Sequence, residues 1–138
     1  MTTPPATPTA ADPLTIAETS AFTGLSPTTL RYYERIGLID RVERAPDGHR
    51  RYRQSDLAWL AFLLRLRTTA MPIQEMLRFT RLRRGGDATV RDRLELLRTH
   101  ERRVRDEHAA VMRSLAAISD KITHYERLLE EKDDDPAG

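Results

Sequence analysis

Between Ser26 and Leu38 the chain reads Ser-Pro-Thr-Thr-Leu-Arg-Tyr-Tyr-Glu-Arg-Ile-Gly-Leu. Its Thr28, Thr29, Arg31, Tyr32 and Tyr33 suit nucleic acid better than bond-making chemistry. The Arg31 guanidinium can donate two hydrogen bonds to the acceptor edge of a guanine. The threonine hydroxyls can assist at base edges or phosphate, and phenols bond phosphate oxygens. A second basic run, Gly48-His-Arg-Arg-Tyr-Arg53, follows within a few residues. Catalytic patterns are missing: there is no Gly-rich phosphate loop, no Ser or Cys in a nucleophile setting and no close carboxylate pair in an apolar pocket. Asp133, Asp134 and Asp135 read as a solvated terminal run, so the chain is not expected to be an enzyme. It has no cysteine and four scattered histidines. Disulfides, thiolate ligands and thiol redox sensing are therefore excluded, and no metal or cofactor is expected.

These groups need elements to hold them. Ser26 is a good N-cap and Pro27 sits where a missing N–H costs nothing, so a helix is predicted from Pro27 to about Ile36. Gly37 can close it in the left-handed conformation, with Leu38 as the apolar contact of a Schellman motif. Only one narrow face, Leu30 with Tyr33 or Glu34 and Ile36, is left for a core. Upstream, Thr15-Ile-Ala-Glu18 is a capping box that opens a helix at Ile16, with Ile16, Ala17, Ala21 and Phe22 as its apolar stripe. Gly24 supplies the turn between the two, which makes a helix-turn-helix. Residues 41–53 read as a hairpin around a two-residue Asp47-Gly48 turn, a basic two-stranded wing carrying Arg44, Arg50, Arg51 and Arg53.

A third helix is expected over Gln54 to Arg67, capped by Ser55 or Gln54, with Leu57, Leu60, Ala61 and Leu64 as its stripe and Trp59 and Phe62 off it. Pro72 opens a fourth, lined by Ile73, Met76, Leu77 and Thr80, and Gly85-Gly86 ends it. From near Ala88 the positions Val90, Leu94, Leu97, Glu101, Val104 and His108, then Val111, Leu115, Ile118, Ile122, Tyr125 and Leu129, alternate by four and three for more than five heptads. That seam implies a helix roughly 60 Å long. It needs a partner, and a second copy is the economical one. Glu101 and His108 are the polar seam residues, read as fixing register. His100 and His124 fall off the seam and are expected to be solvated.

Charge follows the same division. Residues 14–84 hold 13 Arg against 7 acids, a net +6, whereas residues 85–138 hold 10 basic and 13 acidic residues, a net −3. The front half faces a polyanion. Residues 1–13, rich in Pro, Thr and Ala, and the acidic residues 132–138 read as disordered tails. No apolar run reaches the length of a membrane span, and the start lacks the order of a secretory signal, so a cytoplasmic, nucleoid-associated protein is expected.

Thr15-Ile-Ala-Glu, Leu30-Arg-Tyr-Tyr-Glu34 with Ile36-Gly-Leu38, Gly48-His-Arg-Arg-Tyr52 and Asp56-Leu57 together closely resemble the DNA-binding domain of the MerR family of bacterial transcription regulators. The resemblance covers residues 14 to about 82 and continues more loosely along the long helix. It implies a mostly α fold: a winged helix-turn-helix DNA-binding domain (14–84) followed by a long coiled-coil dimerisation helix (88–131). It implies that Arg50, Arg51 and Tyr52 of the first wing lie on phosphates, as Tyr32 and Tyr33 do. Arg67-Thr68-Thr-Ala-Met71 matches the second wing, where most relatives place Gly at the position of Ala70. The implied partners are double-stranded DNA, a second copy through antiparallel C-terminal helices, and RNA polymerase at a promoter whose spacer the dimer bends and untwists. The alternatives are an architectural DNA-bending protein and a coiled-coil protein-interaction module. Without cysteines, metals and thiol-reactive compounds are not expected as effectors, leaving a small apolar or aromatic ligand, or none with control by protein level.

Overall fold

A computed structural model of the chain describes residues 13–134; the expected tails lie outside it except for Pro13 and residues 132–134. The chain divides into two compact units, one running to Leu96 and the other beginning at Leu97.

The first unit opens with α1 (Ile16–Thr23) and α2 (Pro27–Arg35). The capping box forms: the Thr15 amide donates to Glu18 and the Glu18 amide to the Thr15 hydroxyl, both at 3.1 Å. Ser26 caps α2 through the Thr29 amide at 3.1 Å. At the other end Gly37 is left-handed at φ 83°. The Leu38 amide reaches back to the Tyr33 carbonyl and the Gly37 amide to Glu34, which completes the Schellman motif with Leu38 fully buried. The α1 stripe differs from expectation. Thr19 is its buried residue, with its hydroxyl on the Thr15 carbonyl, while Ala17, Ala21 and Phe22 are exposed. A threonine that satisfies its own hydroxyl inside the helix is as buriable as an apolar residue of its size.

The wing pairs β1 (Glu43–Arg44) antiparallel with β2 (Arg50–Arg51), Glu43 opposite Arg51 and Arg44 opposite Arg50. Its turn is not the expected two-residue Asp-Gly turn. The Gly48 amide bonds the Ala45 carbonyl and the Ala45 amide bonds the His49 carbonyl. Gly48 is left-handed at φ 87° and Asp47 is not. Pro46-Asp47 thus forms the centre of an ordinary turn with Gly48 as the bulge residue, a three-residue connection that Pro favours and that a two-residue primed turn excludes. Leu14 and Tyr52 exchange both backbone hydrogen bonds, tying the start of the domain to the end of the wing.

Helix α3 (Gln54–Thr68) starts at Gln54 as expected, but its cap is Arg53, one residue before the expected Gln54 or Ser55, with the Arg53 amide donating to Asp56 at 2.9 Å. Leu57, Leu60, Leu63 and Leu66 are its buried residues, and Ala61 is exposed. The stripe advances by threes, so it slides around the helix instead of holding to Ala61 and Leu64. The helix ends in a second Schellman motif: the Met71 amide bonds Leu66, the Ala70 amide bonds Arg67, and Ala70 takes φ 61°. Helix α4 (Ile73–Arg84) buries Met76, Phe79 and Thr80 and leaves Ile73 exposed.

Trp59, Phe62 and Phe79 pack as a triangle with ring centres 5.8–6.0 Å apart, and the Arg83 guanidinium covers the Trp59 ring at 4.2 Å. The Leu38 carbonyl accepts from both Trp59 Nε1, at 3.1 Å, and the Thr80 hydroxyl, at 3.3 Å. Arg84 adds hydrogen bonds to Asp40 and to the Gly37 carbonyl. The C-terminal end of α2 is therefore fixed by side chains from α3 and α4.

A 3-10 turn, Gly86–Thr89, leads into α5 (Val90–Asp133), 44 residues and about 66 Å long, which starts two residues later and runs two residues further than expected. In the second unit the apolar residues Val111, Leu115, Ile118, Ile122, Tyr125 and Leu129 are all exposed along one stripe. His100, expected in solvent, is buried, with Nδ1 3.1 Å from the Arg103 guanidinium. A heptad count assigns the residues of one seam only and carries no information about burial on the rest of a helix.

Candidate nucleic-acid interface

The exposed side of α2 presents Thr28, Arg31, Tyr32 and Arg35. None is used by the core, because Leu30 and Tyr33 alone anchor the helix from within. The Thr29 hydroxyl accepts from Ser26 at 2.9 Å, so it belongs in part to the cap. The Arg35 guanidinium lies 5.3 Å from the centre of the Tyr32 ring, holding that phenol against the helix surface.

Between α2, the start of α1 and the wing lies an open cleft of about 500 Å³, lined by Arg31, Arg44, Arg50 and Arg51, by His49, and by residues 15–17. Four arginines from three elements converge there. Arg44 donates to the Gly48 carbonyl at 3.2 Å and Arg51 to the Arg50 carbonyl at 3.2 Å. Asp47 sits 3.2 Å from the His49 ring and 3.7 Å from Arg51, and the His49 amide holds its carboxyl below the usual carboxylate range. The wing tip thus carries one ionised acid among bases. With Glu34 paired to Arg50 and Asp47 near Arg51, the four guanidiniums still leave this concave surface net positive and attractive to anions, most strongly at low salt.

Three of the expected phosphate contacts are placed otherwise. Tyr33 is buried under α2 as part of the core, and Tyr52 is wholly buried. Neither presents a surface to a phosphate. The aromatic rings contribute apolar area that a domain this small cannot spare, and burial pushes the Tyr52 hydroxyl above its ordinary pKa. The Tyr52 hydroxyl has no hydrogen-bond partner among the described residues. Arg50 donates from Nε to Glu34 at 2.7 Å, with both side chains largely covered. It is first a strut between the wing and α2. The sequence shows Glu34 on the same narrow face as Leu30, and that placement was the available signal for the pair. Arg67 and Thr68 are exposed at the end of α3 and do not line the cleft. Residues 15–17, Arg44 and His49 join the cleft although the motif reading had not singled them out for it.

Two short helices at a Gly turn, a basic ribbon beside the second, and two further helices bracing it define a winged helix-turn-helix. Comparison with known proteins agrees. Residues 15–52 match the MerR family regulatory protein model. A Haemophilus influenzae HTH-type transcriptional regulator is 33% identical over 82% of this chain and 84% of its own length. AdhR, an HTH-type transcriptional regulator of Bacillus subtilis, is 36% identical over 66% of this chain and 65% of its own. Among solved structures, a Listeria monocytogenes chain described as a MerR family transcriptional regulator superposes with a TM-score of 0.82 at 31% identity, covering 87% of this chain and 92% of that one. HiNmlR, described as a MerR family regulator lacking the sensor domain and solved bound to promoter DNA, superposes at 0.76 with 32% identity over 83% and 91%. The chain belongs to the MerR family of DNA-binding transcription regulators. Among the described residues no helix is long and apolar enough to cross a membrane.

Proposed function

We propose that the chain acts as a homodimer on a dyad-symmetric promoter site, joined through antiparallel α5 helices along the exposed stripe. Helix α2 of each copy enters a major groove, with Arg31 on a guanine edge and Thr28 beside it. Arg44 and Arg51 take the adjoining phosphates from the wing, and Arg67 and Thr68 take those at the outer flank. The dimer bends and untwists the spacer so that RNA polymerase can engage it. Such deformation costs of order 1–6 kcal/mol, which a stiff, braced α2 can transmit. The convergence of Arg31, Arg44, Arg50 and Arg51 on one cleft beside the free face of α2 carries this reading, and the promoter-bound state of HiNmlR supports it.

Salt-dependent binding to duplex DNA tests it. Arg51→Ala is expected to lower the slope of log affinity against log salt by about one unit and to leave sequence preference unchanged. Arg31→Ala is expected to cost about 1–3 kcal/mol and to relax preference at one base pair per half-site. Equal loss on specific and random duplexes for Arg31→Ala would take α2 out of the groove.

A further inference from the structure

We propose a specific register for the α5 pair: two copies run antiparallel with the dyad midway between Ala116 and Ala117, so that facing seam residues have numbers summing to 233. This rests on the dimer reading above and fixes which residues of the second copy meet which of the first.

The seam alternates a and d positions, with 101, 108, 115, 122 and 129 as a and 104, 111, 118, 125 and 132 as d. In an antiparallel pair each a residue faces a d residue, which restricts the sum to values seven apart: 226, 233, 240 and so on. A parallel pair places every a residue against its own copy. Glu101 then meets Glu101 inside the seam, a like-charge contact that disfavours this orientation.

At a sum of 233 the apolar residues meet each other: Val104 faces Leu129, Val111 faces Ile122, and Leu115 faces Ile118 of the second copy. These side chains are exposed or half-covered in the single chain. Both polar seam residues also find partners of matching chemistry. His108 faces the Tyr125 hydroxyl, and Glu101 faces the Lys132 ammonium. The flanks agree as well. Arg105 lies opposite Glu126 and Arg98 opposite Asp133 of the second copy, and no two like charges face each other. Arg105 is 75% exposed and only 3.7 Å from Glu101 within its own helix, so it can turn to a partner.

The neighbouring registers lose the seam matches, although a sum of 226 also sets opposite charges on its flanks, Arg98 by Glu126 and Glu107 by Lys121. A sum of 240 brings Lys121 against its own copy and sets His108 against Lys132. A sum of 226 buries His108 against Ile118, which can neither accept nor donate a proton. Polar seam residues are the best-attested means of fixing register in coiled coils, and here two of them agree on one value.

The absence of cysteine allows a direct test. Full-length Val111→Cys and Ile122→Cys chains are each prepared alone and as a mixture refolded together, then oxidised and run on a non-reducing gel. The register places these two positions at the same level, within disulfide reach. A slip of seven residues separates them by about 10 Å, beyond it. A cross-linked dimer is expected only in the mixture, with neither chain linking to itself. Self-linking of either single chain means a parallel pair, and a mixture that stays dimeric by light scattering yet does not cross-link means another antiparallel register; both overturn the proposal. Val104→Cys mixed with Leu129→Cys repeats the measurement, should one of the first substitutions weaken association. If the unsubstituted chain is monomeric by light scattering at micromolar concentration, the dimer reading itself falls, independently of register.

Discussion

The Glu34–Arg50 pair is expected to hold the wing to α2, and a double-mutant cycle measures how firmly. The guanidinium Nε and the carboxylate are 2.7 Å apart, with side-chain exposures of 20% for Arg50 and 12% for Glu34. Water screens such a pair little, and either group left alone would be a partly buried, unmatched charge. A charge-assisted hydrogen bond contributes about 1.5–3 kcal/mol, and breaking a fully buried pair costs about 3–5. For this partly covered pair, Glu34→Ala is expected to cost about 2 kcal/mol. The double variant Glu34→Ala with Arg50→Ala is expected to cost clearly less than the two single changes added together, with a coupling of about 1–2 kcal/mol. Urea unfolding at fixed protein concentration is the assay, and with a slope of about 2 kcal/mol per molar the single change moves the midpoint by about 1 M. Additive single and double variants, with coupling under about 0.5 kcal/mol, would show that the contact does not connect wing and helix energetically.

Ala70 sits at φ 61°, where a β-carbon is strained by about 1–2 kcal/mol and Gly is not. Against the larger chain entropy of Gly, Ala70→Gly is expected to stabilise the domain by about 0.5–1 kcal/mol, read as a higher melting temperature; a lower one would refute the strain. Tyr52→Phe removes a buried hydroxyl with no partner and is expected to raise stability by up to about 1 kcal/mol, whereas a loss of more than that would reveal a partner for the hydroxyl. The Thr15 amide and hydroxyl hold Glu18 below its usual carboxylate pKa. The resulting stability is present above the unfolded-state value and is lost as pH falls through the lowered folded value. Unfolding midpoints of the unsubstituted chain and Glu18→Gln should therefore differ at pH 7 and converge as pH falls below the usual carboxylate range, and a gap that widens in acid would contradict this.

Local signals were the legible ones. The caps of α1 and α2, the Gly37 closure and the Pro72 start are set by residues within four positions of each other, and such chemistry is written in the order of the chain. The extent of α5 was legible for the same reason: one helix repeats one spacing. What sequence left open depends on third parties. Helix spacing sets Tyr33 three residues after Leu30, on the face left for a core, whereas the family resemblance points it, with Tyr52, at phosphate. The structure buries both rings, Tyr33 at 6% and Tyr52 at 0% exposure. Arg50 reads as a free cation until Glu34, sixteen residues earlier, is brought within reach. Asp-Gly is compatible with two loop lengths, and the preceding Pro46 decides for the three-residue one.

The Leu38 carbonyl and its neighbours have a consequence for how the chain is made. The bonds that hold the C-terminal end of α2 span 21, 42, 44 and 47 residues. At a synthesis rate of about 5–20 residues per second, the end of α2 is synthesised roughly 2–9 s before Arg84 exists to clasp it. A nine-residue helix is too short to persist alone in water for that interval. The nascent chain consequently lacks the full clasp on α2 until translation has passed Arg84. A truncated product ending within α4 would hold all of α2 and the wing and still lack the Arg84 bonds to Asp40 and the Gly37 carbonyl.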